Sequence, residues 1–252
     1  MQLTKSKLEW MEYDLLESYP HVIHGTFTRR GGVSKEPCAT LNVGESTSDS
    51  AESVKANREQ IRKALDVAKV IYPHQSHGVV VHRMTAKNQD IIPQADAMYT
   101  TEKNVGLAIQ HADCQAAIFY DPVHEAIGVA HCGWRGTAQN IYARLIEAMQ
   151  REIGTKSHNL IVCISPSLGP DHAEFINYKQ ELPKELWEFG TGQKANHFDF
   201  WAISKSQLLK CGILEKNIEI AEVCTSCNTE DYYSYRAEKD TGRNATIVAL
   251  KP

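Results

Sequence analysis

Apolar residues recur along this chain with two different periods, and the period predicts the element. Between residues 50 and 67 they return at helical spacing, with Val54, Ile61 and Leu65 supplying the apolar positions. Asp49 is placed to cap this helix, with Glu52 at the capping-box position. The short runs VGLAI (105–109), QAAIFY (115–120) and AIGVA (126–130) are bounded by turn signals such as Asp121-Pro122 and read as strands. A helix is expected over 137–152, where Ile141, Leu145, Ala148 and Met149 share one face and Gly154 suits the C-terminal cap. VVVHRM (79–84), LIVCI (160–164), IEIAEV (218–223) and ATIVAL (245–250) read as further strands, and Asp199 caps a helix ending at Gly212. Strict βαβ alternation is missing. The pattern therefore predicts one compact α+β domain over residues 1–252, with mixed β-sheet(s) flanked by helices.

Composition narrows the function. The 252 residues suffice for a substantial core. With 27 basic against 31 acidic side chains the net charge is −4, so no basic face for nucleic acid is expected. No apolar run approaches the ~20 residues that span a bilayer. The first twenty residues interleave acids with apolar side chains and lack the h-region of a signal peptide, so the chain is expected to stay in the cytoplasm. Its seven cysteines (38, 114, 132, 163, 211, 224 and 227) are odd in number and irregularly spaced, which predicts reduced thiols rather than a disulfide framework.

Candidate chemistry concentrates between His111 and Gly136. Here HADC is followed by a strand, a turn, a second strand and HCGWRG. Cys114 begins the first strand and His131 ends the second, so an antiparallel pairing makes them neighbours at one sheet edge. His77, in the polar stretch PHQSHG, is the best third ligand, and Gly78 allows close backbone approach. Two imidazoles and one thiolate suit zinc, and three protein ligands leave a fourth position for water or substrate. The residues alone also fit a plainer reading, in which Cys114 is a buried thiol and each imidazole merely satisfies a backbone group.

QSHG (75–78), ADC (112–114) and HCGWRG (131–136) resemble the motifs of a family once called multicopper polyphenol oxidase or laccase-like, and also peptidoglycan editing factor. That family is now described as bacterial purine nucleoside phosphorylases with a human laccase-domain relative. The resemblance continues in order through TRRGGVS (28–34), LNVG (41–44), NR (57–58), ADAM (95–98) and CTSC…YYSYR…TGRNA (224–245), almost the whole chain. It implies a metal on His77, Cys114 and His131, zinc rather than copper, although copper could bind in vitro. It implies phosphorolysis of adenosine, inosine and S-methyl-5′-thioadenosine with phosphate, and adenosine deamination beside it. Two departures bear on substrate preference. His111 stands where Thr is usual before ADC, and the stretch ISPSLG (164–169) is altered, with Ala173 where Tyr is common.

Phosphorolysis needs an oxyanion site, and guanidinium groups bind phosphate bidentately. Arg29, Arg58 and Arg135 are the candidates, each with the alternative of a solvated surface residue. Gly31-Gly32 lacks a phosphate-loop pattern and reads as a tight turn. Asp113 and His111 each read either as an acid/base group or as an orienter of the metal site. Trp134 reads as core. His172-Ala173-Glu174 with Cys224-Thr225-Ser226-Cys227 has the outline of the H-x-E…P-C-x-x-C zinc-deaminase motif. Val223 replaces its proline and the gap of about fifty residues is long, so CTSC reads as core or turn packing.

Rival functions follow from the same residues. A copper polyphenol oxidase needs coupled copper centres, and the eleven histidines form no paired H-x-H motif. A cysteine hydrolase acting on peptidoglycan precursors would use Cys114 as nucleophile and His131 as base. A binding or scaffold protein would bind nucleoside without turnover. Oligomeric state is not legible in the chain.

Overall fold

The computed structural model describes residues 8–192 and 194–252; the first seven residues of the N-terminal stretch weighed above as a leader lie outside them. Eleven strands follow one another among the described residues. They are β1 (Trp10–Met11), β2 (Val22–Phe27), β3 (Lys69–Ile71), β4 (Val81–Arg83), β5 (Ala97–Thr100), β6 (Val105–His111), β7 (Gln115–Asp121), β8 (Ala126–Cys132), β9 (Ile161–Ile164), β10 (Ile218–Ile220) and β11 (Asn244–Leu250). They form two sheets. One has the order β1-β2-β11-β6-β3 and the other β10-β9-β7-β8-β5-β4. Each mixes antiparallel pairs with parallel ones, namely β3/β6 in the first and β9/β10 and β4/β5 in the second.

The period-2 pattern explains the layering. Along β7, Ala116, Ile118 and Tyr120 point into a core shared with Leu107, Ile109 and Val248 of the other sheet. The alternate residues Ala117 and Phe119 pack the opposite way, against Tyr142, Leu145 and Met149 of the helix Ile141–Ile153. The first sheet has its own outer layer, where Ala108 and Ile247 meet Ile61 of the helix Ala51–Ala64. β7 is thus covered on both faces, and all seven of its residues are buried. The α+β architecture of mixed sheets with flanking helices is the one the pattern predicts.

Local chemistry moved several boundaries. The cap of the helix Ala51–Ala64 is Ser50, whose hydroxyl accepts from Ser53 N at 3.1 Å. Asp49 is diverted, since its carboxylate takes bonds from Ser34 Oγ at 2.6 Å and Asn42 Nδ2 at 3.0 Å. The helix expected over 137–152 is two pieces, Trp134–Ala138 and Ile141–Ile153. Asn140 separates them with a left-handed φ of 53° and caps the second through Ala143 N at 3.1 Å. Gly154, at φ 85°, is the C-terminal cap as expected, and Asp199 caps Phe200–Lys210 through Ala202 N at 2.9 Å. β10 stops at Ile220 rather than 223, and Glu222 lies beyond it at φ 51°. No helix among the described residues is long and apolar enough to cross a membrane.

Candidate metal centre

The β7–β8 hairpin pairs Gln115 with Cys132 and Ala116 with His131, so Cys114 and His131 meet at one end of the second sheet. His77 reaches them from the loop between β3 and β4. Its Nδ1 or Nε2, the Cys114 Sγ and an imidazole nitrogen of His131 all lie within 4.8 Å of one another. The two rings stand edge to face, with centroids 4.8 Å apart. Exposure falls across the trio, from exposed His77 through half-buried Cys114 to buried His131, which leaves the solvent side at His77.

Asp96, just before β5, organises this loop and was missed as a site residue in the sequence. It is fully buried, and β5 lies beside β8, with His131 N donating to Asp96 O at 2.7 Å. Its carboxylate accepts from His131 Nδ1 at 3.0 Å and from His77 N at 2.9 Å on one oxygen. The other oxygen accepts from Gly78 N at 2.8 Å and Ser76 Oγ at 3.1 Å. One carboxylate therefore fixes the backbone of one ligand and the ring of another, which leaves His131 Nε2 for the metal. Burial works to raise the Asp96 pKa, but the His131 bond and the Gly78 N–H hold it down at about 2. Gln75 ties the same loop to the first sheet: its amide exchanges two 2.8 Å bonds with the backbone of Gln110 in β6. The centre thus sits where the two sheets join.

Electrostatics favour the ligand form of the thiol. Burial alone would raise the Cys114 pKa, yet the charge of His131 and hydrogen bonds from both imidazoles lower it to about 6. A tetrahedral zinc, at ~2.3 Å from sulfur and ~2.0 Å from nitrogen, sets its donors ~3.5 Å apart, so the trio has little over ~1 Å to close. Space is kept for that. A Cβ on Gly133 would lie 3.1 Å from both Cys114 Sγ and His77 Cδ2, so a larger residue there would push on two ligands at once. The donor set and its packing fit a zinc ion.

His111 belongs to a buried hydrogen-bond chain. Tyr13 Oη lies 2.9 Å from Thr26 Oγ1, itself 2.8 Å from Thr246 Oγ1, which is 2.8 Å from His111 Nε2. Each hydroxyl has one proton, and leaving one unbonded in the interior costs ~1–3 kcal/mol. Only one polarity bonds all three: Tyr13 donates to Thr26, Thr26 to Thr246 and Thr246 to His111. In that polarity Nε2 accepts and the ring carries its proton on Nδ1. That Nδ1–H faces the Cys114 backbone too loosely for a full hydrogen bond. Burial first, and then the charge of His131, lowers the His111 pKa to about 3, which keeps the ring neutral. Of its two readings, this placement suits the orienter.

Asp113 is held in the left-handed region at φ 89° directly before Cys114, a conformation that costs a non-glycine residue ~1–3 kcal/mol. Its carboxylate accepts from Thr225 Oγ1 at 2.7 Å, Ser234 Oγ at 2.6 Å and Arg236 N. Through these three bonds Asp113 fixes the chain around Cys114.

Two cavities meet at Cys114. A polar one of about 420 Å³ is lined by His74, His77, His111 and Arg243 among others. An apolar one of about 210 Å³ is walled by Trp134, Leu168, Phe175 and Phe200. Ala112, Cys114 and Tyr235 line both. Of the arginines singled out from sequence, Arg29 lies over Tyr233 and binds Glu238 at 2.8 Å. Arg58 lies over Tyr72 and binds Glu45 at 2.6 Å, while Arg135 lies over Trp134. None of the three lines either cavity; Arg243 lines the polar one and Arg236 the apolar one. Both stand in YYSYR and TGRNA, but nothing in the spacing tells which arginine turns inward. Trp134 forms cavity wall as well as packing against an aromatic cluster. The long gap before CTSC does not keep it from His172, for His172, Cys224 and Cys227 also bring donor atoms within 4.8 Å of one another.

The chain belongs to the family described as multi-copper polyphenol oxidoreductase laccase, which matches residues 23–251. Among its relatives, the purine nucleoside phosphorylase YlmD of Geobacillus stearothermophilus is 31% identical over 249 residues, spanning 91% of this chain and 90% of that protein. Purine nucleoside phosphorylase SCO2081 of Streptomyces coelicolor is 32% identical over 236 residues, spanning 90% and 95%. The crystal structure of the Geobacillus YlmD superposes with a TM-score of 0.88 at 26% identity, covering 100% of this chain and 98% of that one. Neisseria meningitidis protein NMB0706 gives 0.86 at 26% identity, covering 98% and 100%.

Proposed function

We propose that this protein is a zinc-dependent purine nucleoside phosphorylase acting at the His77–Cys114–His131 centre. The relatives' names point to that class, and the observation that carries the reading is the pair of unlike cavities meeting at Cys114. A purine is flat and largely apolar, and Trp134, Phe175 and Phe200 offer it aromatic walls. Ribose is polar and phosphate anionic, and the larger cavity, whose lining includes His74 and Glu45, offers them Arg243. A nucleoside lying across Cys114 would place its glycosidic bond at the junction.

In the reaction a phosphate oxygen forms a bond to C1′ as the C1′–N9 bond breaks. The electron pair leaves with the purine, which takes up a proton, and the products are free base and ribose 1-phosphate, or methylthioribose 1-phosphate from methylthioadenosine. The transition state is cationic at C1′, so positioning the phosphate is the protein's main task. Zinc held by His77, Cys114 and His131 supplies Lewis-acid charge beside the reacting atoms when bound. Asp96 keeps His131 in its ligand tautomer, Asp113 holds the strained turn before Cys114, and Arg243 neutralises phosphate. Adenosine deamination is the second activity assigned to the same centre, and adenosine, inosine and S-methyl-5′-thioadenosine are its proposed substrates.

Product analysis tests this directly. Adenosine incubated with phosphate should yield adenine and ribose 1-phosphate, and without phosphate only inosine. Neither product in either arm overturns the reading. Metal-stripped protein reloaded with zinc alone should regain phosphorolysis; phenol oxidation that returns only with copper would favour the oxidase. Alkylation of Cys114 that zinc does not slow would favour the cysteine hydrolase instead.

A further inference from the structure

A second group of soft donors lies outside the centre just described. His172, half-buried Cys224 and exposed Cys227 bring one imidazole nitrogen and two sulfurs within 4.8 Å of one another. They come from two tight turns that face each other. In one, His172 N donates to Gly169 O at 3.0 Å; in the other, Cys227 N donates to Cys224 O at 3.2 Å. A parallel bridge between Ser167 and Cys224 sets the register of the two segments.

Cys224 has a backbone donor aimed at its sulfur. Gly169 N donates to its sulfur at 3.3 Å, as backbone amides do to metal-bound sulfur. That approach requires glycine, since a Cβ at position 169 would sit 2.9 Å from Cys224 Cβ and 3.1 Å from its Sγ. The backbone of His172 is held independently of the cysteines: its carbonyl accepts from Arg236 Nη1 at 2.6 Å. Nothing in the phosphorolysis scheme uses any of these three side chains.

We propose that His172, Cys224 and Cys227 form a second zinc site, which clamps the 169–174 turn to the 224–227 turn. One imidazole and two thiolates are a zinc donor set, with the fourth position open to water on the exposed Cys227 side. Closing the donors to the ~3.5 Å separation of a tetrahedral site moves them by little over ~1 Å, within reach of side-chain rotation. The clamp bears on the first centre through Asp113. Leu168 N donates to Asp113 O at 2.9 Å from one turn, and Thr225 Oγ1 to the Asp113 carboxylate at 2.7 Å from the other. Leu168 and Phe175, on either side of His172, wall the apolar cavity. An ion between the two turns would therefore bear on the position of that wall. Glu174 lies in an antiparallel bridge with His197 on a non-helical turn, so the arrangement lacks the helix on which a zinc deaminase presents its His and Glu.

Metal content is the test. Full-length protein loaded with zinc and dialysed should carry one equivalent more than the first centre accounts for. Cys227→Ser changes an exposed side chain, and should lose one equivalent while keeping the other; His172→Gln should do the same. His131→Ala should lose the opposite one. In the cobalt-loaded protein, the thiolate charge-transfer absorption should fall in Cys227→Ser and persist only through Cys114. An unchanged zinc ratio in both Cys227→Ser and His172→Gln, with near-ultraviolet circular dichroism showing that they are folded, overturns the proposal. So does a Cys224–Cys227 disulfide, seen as a two-hydrogen mass deficit in protein purified with zinc and without reductant.

Discussion

The two donor clusters invert each other's composition, two imidazoles and a thiolate in one, two thiolates and an imidazole in the other, yet they are built in opposite ways. Cys114 and His131 flank adjacent antiparallel strands, and His131 is buried with its ring bonded to a carboxylate that is itself buried. His172 and Cys227 stand on turns, Cys224 holds only an isolated bridge to Ser167, and no carboxylate orients the imidazole among the bonds described. A strand end is fixed by its ladder and by packing on both faces, so it can hold ligands in place with a coordination position left open, as reaction requires. Turns have no such support, and there an ion supplies order rather than using it. The same three kinds of atom thus serve different ends according to what lies behind them.

The largest effect expected from this comparison is at Cys114. Cys114→Ser should lose the first zinc and lower kcat/KM for phosphorolysis by more than the ~100-fold that loss of an outer partner costs. Cys227→Ser should not approach that loss. Equal losses in steady-state assays of the two variants would erase the distinction between them.

Next comes Asp96→Asn. It turns one acceptor oxygen into a donor facing His131, His77, Ser76 or Gly78, and should weaken zinc binding by ~10–100-fold in competition with a chelator. Unchanged affinity would mean that strand geometry alone preorganises the centre. A smaller effect tests the polarity of the His111 chain. Thr246→Val strands the Thr26 proton and should cost ~1–3 kcal/mol in urea unfolding, whereas Tyr13→Phe removes only the chain's first donor and should cost ~1 kcal/mol or less. A Tyr13→Phe cost as large as that of Thr246→Val would place the proton on Nε2.

The smallest effect is at the far end of the hairpin. Burial acts to raise the Asp121 pKa, but bonds from Val123 N at 2.9 Å and from the His124 ring at 2.8 Å help to lower it. A carboxylate whose native pKa is depressed adds stability above its unfolded value, and that contribution disappears as pH falls through the native value. Asp121→Asn should therefore be less stable than the parent at neutral pH and converge on it in acid, below pH 3.8. Its zinc content should not change; if it does, the turn and the metal end of the hairpin are coupled.

Much of this was legible one residue at a time. The run QAAIFYD turn AIGVAHC reads as a hairpin because its strands are short, apolar and punctuated by Asp121-Pro122, and a hairpin alone brings Cys114 to His131. Asp199 and Gly154 could be recognised as caps because their partners lie within a turn of them in sequence. Asp49 misled for the same reason, since its actual partners, Ser34 and Asn42, lie outside the helix.

What the sequence by itself determined is the set of elements, the hairpin, the donor types at 77, 114 and 131, and the family that their motifs mark. These depend on nearest neighbours along the chain or along one hairpin. Only the tertiary structure decided that Asp96 would grip both histidine ligands, that Arg243 rather than Arg29, Arg58 or Arg135 would line the polar cavity, and that CTSC would meet His172. Each of those rests on which sheet edge a distant segment joins. Register and burial are settled by packing summed over the whole core, so no local spacing encodes them.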